Sequence, residues 1–315
     1  MDKLKALHTF VEIVDRGSLT AAAEAMDSSL PAVVRTLAAL EAQLGVRLLH
    51  RTTRRIALTE DGRQYVERAR RILADVDEAD RLLGAEQVAP SGALHVTAPV
   101  LFGQYHIAPA VTRFLQQHPA MRVQLTLLDR VVNLIEEGMD VGIRIGHLQD
   151  SSLVAQRVGE IRRVVVASPA LLRRHGVPAH PRELADAPCL CFSGMDGRRW
   201  LFREGSRALG IVVNGPMESN LAAPILDACV AGLGFTRCLS YQAAPLLAAR
   251  RLRVVLQDYE VEPWPIHITY PSARLLPSRT RVFIEWIKRT LQESASAFGA
   301  ASSRPRKRVP RRQGI

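Results

Sequence analysis

Apolar residues recur at helical spacing through most of the first 88 positions. Leu4, Leu7, Phe10, Val11 and Val14 form one amphipathic stripe, which Asp15-Arg16-Gly17 ends. Ser18 is placed to cap a second helix, with Leu19, Ala22, Ala23 and Met26 turned inward. Asp27-Ser28-Ser29 breaks it. Ser28 or Ser29 caps a third helix, and Pro31 sits in its first turn, where a missing N–H costs nothing. Val33, Leu37, Leu40 and Leu44 form its inward stripe, and Gly45 is a natural C-terminal stop. Two short helices joined by so short a break describe a helix-turn-helix or a plain helical hairpin.

Val46 to Leu49 and Ile56 to Leu58 predict two short strands, with His50, Arg51, Thr52, Thr53, Arg54 and Arg55 in the turn. With Arg47, that places four arginines and no acid between Glu41 and Glu60. A nucleic-acid backbone needs such charge to displace its counterions; a solvated hairpin is the plainer reading. Thr59 then caps a long helix running to about Leu83. Its seam of Tyr65, Val66, Ala69, Ile72, Leu73 and Val76 recurs at intervals of three and four. A lone helix of this length is marginal in water, so the seam predicts dimerisation, with packing on its own domain as the alternative.

Gly84 to Gly92 reads as a hinge. Beyond it the pattern changes to strands alternating with helices, which predicts an α/β region with a mostly parallel sheet. The strand-like runs are Ala93 to Thr97, Met121 to Leu127, Val141 to Ile145, Arg163 to Ala167, Cys189 to Phe192, Gly210 to Val213, Gly234 to Leu239 and Pro265 to Tyr270. The helix-like runs are Ile107 to Gln117, Val131 to Gly138, Ser168 to His175, Ala222 to Ala231, Tyr241 to Ala248 and Pro277 to Leu291. From Ser294 onward the chain lacks a core-forming pattern and predicts a disordered tail.

Composition narrows the function classes. The chain has 315 residues, 47% hydrophobic and 23% charged, as in a soluble globular protein of two or three lobes. No run approaches the roughly 18 apolar residues of a membrane span, and the N-terminus carries no secretory signal, so a cytoplasmic protein is expected. Four cysteines are too few for a disulfide scaffold and imply reduced thiols. The net charge is +11, but residues 1–88 hold 13 Lys or Arg against 14 Asp or Glu, while residues 299–315 hold six and none. More than half of the excess is therefore a C-terminal tail, either solvated or adding non-specific DNA affinity. No catalytic constellation, phosphate loop or metal-ligand spacing stands out, so no enzyme activity, metal or cofactor is expected. Cys229 and Cys238, nine apart, leave a thiol switch as the sharper alternative to buried thiols.

Several N-terminal motifs occur in a familiar order: Phe10-Val11, Gly17-Ser18-Leu19-Thr20-Ala21-Ala22-Ala23, Pro31-Ala32-Val33, Leu40-Glu41, Leu44-Gly45-Val46, Leu48-Leu49-His50-Arg51 and Leu58-Thr59-Glu60-Asp61-Gly62. With them the chain closely resembles the LysR-type transcriptional regulators. Val141 to Gly146 and Gly232-Leu233-Gly234-Phe235 are similar to signatures of their effector domain, and the resemblance covers about residues 1–295.

It implies a mainly α winged helix-turn-helix at 1–60, a linker and dimerisation helix with hinge at 61–91, and an effector-binding domain at 92–295 like type 2 periplasmic solute-binding proteins. That domain would comprise two α/β subdomains, 92–162 with 267–295 and 163–266, and a basic tail would occupy 296–315. The resemblance also implies a partly palindromic DNA site, a small-molecule effector and a homodimer or homotetramer, with RNA polymerase a further partner. A solute-binding or thiol redox-sensing protein is the alternative.

Carried onto this chain, the DNA-reading residues are Ser29, Leu30, Pro31, Ala32, Val34, Arg35 and Thr36. Ser18 and Thr20 would meet the backbone beside the second helix, and Arg51, Arg54 and Arg55 would meet it at the wing. Leu30 stands where Gln is common in the family and Val34 where Ser or Thr is common. Both changes trade hydrogen bonds for apolar contact with a thymine methyl. The effector would lie between the lobes, near Pro99, Val100, Phe102 and His147 on one side and Phe192, Ser219, Asn220 and Arg237 on the other. Arg237 is the candidate partner for an anionic effector's carboxylate.

Overall fold

In the computed structural model, residues 2–51, 56–83, 90–148, 152–193, 197–271 and 276–299 are described. The chain divides into two units, Met1–Gly92 and Ala93–Ile315. Local capping chemistry sets the first unit. Helix α1 (Lys3–Arg16) ends at Gly17, whose φ of 65° is the left-handed stop that glycine adopts without strain. The Ser18 hydroxyl opens α2 (Leu19–Ala25) by accepting from the Ala21 N–H, and Ser29 opens α3 (Leu30–Leu44) by accepting from Ala32. Of the two serines offered as the second cap, Ser29 is the one used. Strands β1 (Leu49–Arg51) and β2 (Ile56–Leu58) pair antiparallel, and α4 (Glu60–Leu83) follows. The core joins Leu7, Phe10 and Ile13 of α1 to Val33, Leu37 and Leu40 of α3, to Leu48 and Leu49, and to Val66 and Ala69 of α4.

The first wing strand differs from its prediction. It runs over residues 49–51 rather than 46–49 because the Glu41 carboxylate accepts the backbone N–H groups of Leu48 and Leu49, at 2.8 and 3.2 Å. Pairing starts at Leu49, the second anchored residue, opposite Leu58.

The second unit runs β3 (Gly92–Ala98), α5 (Val100–Phe102), a π-turn (Gly103–Ile107), α6 (Ala108–Gln117), β4 (Met121–Leu127), β5 (Val141–Ile145), β6 (Leu153–Ile161), β7 (Arg163–Ala167), α7 (Pro169–His175), β8 (Pro188–Phe192) and β9 (Arg199–Glu204). It continues with β10 (Arg207–Val212), β11 (Asn214–Ser219), α8 (Ala222–Val230), β12 (Phe235–Leu239), α9 (Ser240–Ala248), β13 (Arg253–Val255), β14 (Trp264–Pro271) and α10 (Ser278–Gly299). One five-stranded sheet has the order β4-β3-β5-β14-β6 and the other β11-β8-β12-β7-β13. The chain crosses between them at Arg162 and returns before Trp264. Arg162 and Glu260 join the two crossings through a bidentate ion pair of 2.6 and 2.7 Å, and the Arg163 guanidinium lies 4.5 Å over the Trp264 ring.

The sheets are mixed rather than mostly parallel: β14 runs antiparallel to both β5 and β6, and β7 antiparallel to both β12 and β13. Residues 131–138, expected to be helical, are an irregular stretch, 131–133, followed by a turn over 134–138. There the Asn133 side chain accepts from the Ile135 N–H, and Gly138 closes the segment at φ 65°. The C-terminal helix continues past the predicted Leu291 to Gly299, so residues 296–299 are helical, not tail. Thr290 donates to the carbonyl four residues back within it. The rest of the predicted tail, and residues 84–89 of the predicted hinge, lie outside the described residues.

Candidate nucleic-acid interface and ligand cleft

The start of α3 stands clear of the core. Leu30, Pro31 and Arg35 are exposed, Ala32, Val34 and Thr36 are half-buried, and Val33 and Leu37 are sealed beneath them. Thr36, one of the DNA-reading candidates, is thus partly covered. The turn before α3 is tight: Asp27 has φ 45°, and the Ser28 N–H donates to Ala23 O at 2.9 Å. Ser18 and Ser29 spend their hydroxyls on the caps of α2 and α3, while Thr20 is exposed.

Behind the reading face, Thr59 donates to Arg47 O at 2.7 Å and accepts from the Gly62 N–H at 2.9 Å. A Cβ at Gly62 would lie 2.0 Å from Leu48 O, so only glycine lets α4 start this close to the wing. Arg51 closes the backbone register opposite Ile56; its side chain, and Arg54 and Arg55 entirely, lie outside the described residues. Glu41 was not singled out by sequence, although it falls on the inward stripe of α3 and is the single acid there.

The α4 seam is divided. Val66 and Ala69 are buried in the core of their own unit, Leu73 packs against that core, and Tyr65 meets Phe10 with ring centroids 5.9 Å apart. These four belong to the intramolecular packing that was the alternative to dimerisation. Ile72 is 43% exposed, and Val76 is half-buried.

In the second unit a cavity of about 500 Å³ opens at the carboxyl ends of strands from both sheets. Val100 and Leu127 to Val131 line it from one side, and Ser193, Asn220 and Leu221 from the other. Of the predicted effector residues, Val100 and Asn220 line this cavity. Ser219 organises its wall: its carbonyl accepts from Ser193 N–H at 2.9 Å, and its hydroxyl accepts from Leu221 N–H at 3.1 Å. Pro99 accepts from the Gly103 N–H at the start of α5.

Three other predicted residues are elsewhere. Phe102 is buried in the core, its ring 4.9 Å from His106 and edge-on to Tyr241 at 5.2 Å. Phe192 is likewise a core residue, and His147 is exposed beyond β5 without lining the cavity.

Arg237 requires a correction. It is 5% exposed, donates to Leu201 O at 3.2 Å and lies 5.6 Å from the Trp200 ring. It therefore faces the β9–β10 hairpin, on the same side of β12 as Phe235, while Cys238 faces the core shared by the two sheets.

Asp129 is the site residue that sequence reasoning missed. Its Oδ1 accepts the Val100 N–H at 3.0 Å, and burial raises its pKa above the usual carboxylate range. Its neighbour Arg130 is committed to Glu137 through two bonds of 2.6 and 2.7 Å. The Asp129 signal was its place just past a predicted strand, at that strand's carboxyl end.

All four thiols are buried. Burial pushes Cys189 and Cys229 up to about 12 and raises Cys191 and Cys238 as well, so thiolate is scarce at neutral pH.

Two family models match this chain. The model of the bacterial regulatory helix-turn-helix protein, lysR family, covers residues 4–63, and that of the LysR substrate binding domain covers 87–292. The chain belongs to the LysR family of transcriptional regulators. An HTH-type transcriptional repressor of Pseudomonas aeruginosa is 33% identical over 297 residues, covering 93% of this chain and 94% of that protein. The HTH-type transcriptional activator AaeR of Escherichia coli is 30% identical, covering 90% and 92%. The solved structure of CrgA, a LysR-type regulator of Neisseria meningitidis, superposes with a TM-score of 0.60 at 30% identity, covering 91% of this chain and 98% of that one. This LysR-type regulator thus pairs a DNA-binding helix-turn-helix with an effector-binding domain. No described helix is long and apolar enough to cross a membrane.

Proposed function

We propose that this regulator acts in the cytoplasm as a homodimer or a homotetramer. Two α3 helices would enter successive major grooves, about 34 Å apart, on a partly palindromic operator. The observation that carries this reading is the exposed start of α3, where Arg35 stands outward beside Leu30 and Pro31 while the opposite face forms the core. Arg35 supplies the guanine or phosphate contact, Leu30 and Val34 meet thymine methyl groups, and Arg51, Arg54 and Arg55 neutralise the flanking backbone.

The effector occupies the 500 Å³ cleft, within the roughly 300–1,000 Å³ of small-molecule sites. Its binding shifts the arrangement of the dimers and hence the bend of the DNA and the access of RNA polymerase. The buried, weakly acidic thiols support an effector-driven rather than an oxidation-driven switch.

The test is a footprint and binding isotherm on the DNA upstream of the protein's own gene. Arg35→Ala is expected to weaken that site by about 1–3 kcal/mol, roughly 5- to 150-fold, while leaving a scrambled duplex within a few-fold. Equal losses on both duplexes would move Arg35 from base reading to backbone contact.

A further inference from the structure

On the reading that the cleft holds the effector, we infer that the effector is an amine, presenting a protonated nitrogen to Asp129 and an apolar body to the rest of the wall. Among the described lining residues the ionisable ones are Asp129 and Arg130. Arg130 is closed off by Glu137, which takes both of its terminal nitrogens. Arg144 lies outside the cavity, donating to Val132 O at 3.3 Å. Arg237, the guanidinium that sequence pointed to, faces the other side of its sheet.

The uncompensated charge on the wall is therefore a carboxylate, and Val100 N–H is the donor that reaches it. A bound carboxylate or phosphate would meet it with repulsion in a partly desolvated site. An ammonium group would supply the countercharge that burial withholds, in a charge-assisted hydrogen bond. Leu127, Leu128, Val131 and Leu221 leave an apolar surface for the remainder of the molecule. Val131 is 92% exposed and gains most from being covered.

The experiment uses the full-length protein and matched triplets of small molecules. Each triplet is a primary amine, the carboxylate on the same body and that carboxylate's isosteric neutral amide, beginning with phenethylamine, 3-phenylpropionate and 3-phenylpropionamide. Aliphatic and indole bodies extend the series, read by calorimetry and thermal shift. The expected result is at least one amine that binds about 100-fold more tightly than its carboxylate partner. Asp129→Asn should lower that amine's affinity by at least about tenfold and leave the neutral amide within about threefold. A wild-type circular-dichroism spectrum and cooperative melting of Asp129→Asn show that the variant is folded.

A second readout needs no variant. Among the described residues, the ionisable neighbours of Asp129 are Arg130, held by Glu137, and Tyr241 of α9, which burial keeps neutral. Amine affinity should therefore fall as pH drops through the Asp129 titration, while amide affinity stays level.

Carboxylates binding better than amines, no amine in the series binding at all, or indifference of the amine to both Asp129→Asn and pH would overturn the inference. Ser193→Trp, which fills the cleft, separates the two levels. Loss of a bound carboxylate or amide in Ser193→Trp keeps the cleft and discards the amine. A bound probe that ignores Ser193→Trp discards the cleft as the effector site.

Discussion

Ser18, Ser29 and Gly45 act as the caps their residue types imply, because a cap is decided within four residues of chain. Arg237 was visible as a guanidinium on a strand, but β12 is buried along its whole length, so no alternation of polarity reveals which face it takes. Asp129 and Glu41 gain their roles from partners 29 and at least seven residues away, and no local pattern encodes those pairings.

His106 offers a test at this scale. It sits among Phe102, Tyr105 and Tyr241, and burial lowers its pKa from about 6.5 to about 4. The unfolded chain therefore binds the proton more readily. The stability His106 permits is full above pH 6.5 and is lost as pH falls toward 4. Urea titrations of wild type and His106→Phe at several pH values should show the wild type losing more stability across that window. Parallel profiles would remove His106 from the acid response.

At the level of elements, the legible parts were those with a strong period or a full core on one side. The four strands absent from the prediction are β6, β9, β11 and β13. Three of them lie at sheet edges, and β9 belongs to a two-stranded hairpin. Edge positions admit Arg, Gly, Pro and Glu, which dilutes the apolar signal a strand presents.

Helix α4 shows the opposite case: the heptad-like seam was read correctly as apolar but not as shared. Its first half is consumed by the core of its own unit, which leaves Ile72 exposed among the described side chains of the helix. Ile72→Asp should therefore lower the dimerisation affinity by at least about tenfold while leaving the melting temperature of the first unit nearly unchanged. Val66→Asp should unfold it instead. Sedimentation equilibrium and circular dichroism distinguish the two, and an unchanged Ile72→Asp dimer would place the subunit contact elsewhere.

For the whole molecule, the architecture joins two tasks along one chain: a compact α-helical unit whose exposed helix start can read DNA, and an α/β unit with a cleft at its strand ends. The net charge of +11 contributes less to this than its total implies, since residues 1–88 are nearly balanced. On the proposed reading, DNA affinity rests on individual arginines, Arg35 and those of the wing, rather than on a uniformly basic domain.

Fluorescence anisotropy of the full-length protein tests this most directly, using the duplex upstream of its own gene and a scrambled duplex of equal length, from about 50 to 300 mM salt. The expected outcome is at least about 100-fold preference for the native duplex and a logarithmic affinity that falls steeply with salt. Absence of binding to either duplex at the lowest salt would contradict DNA reading by the start of α3.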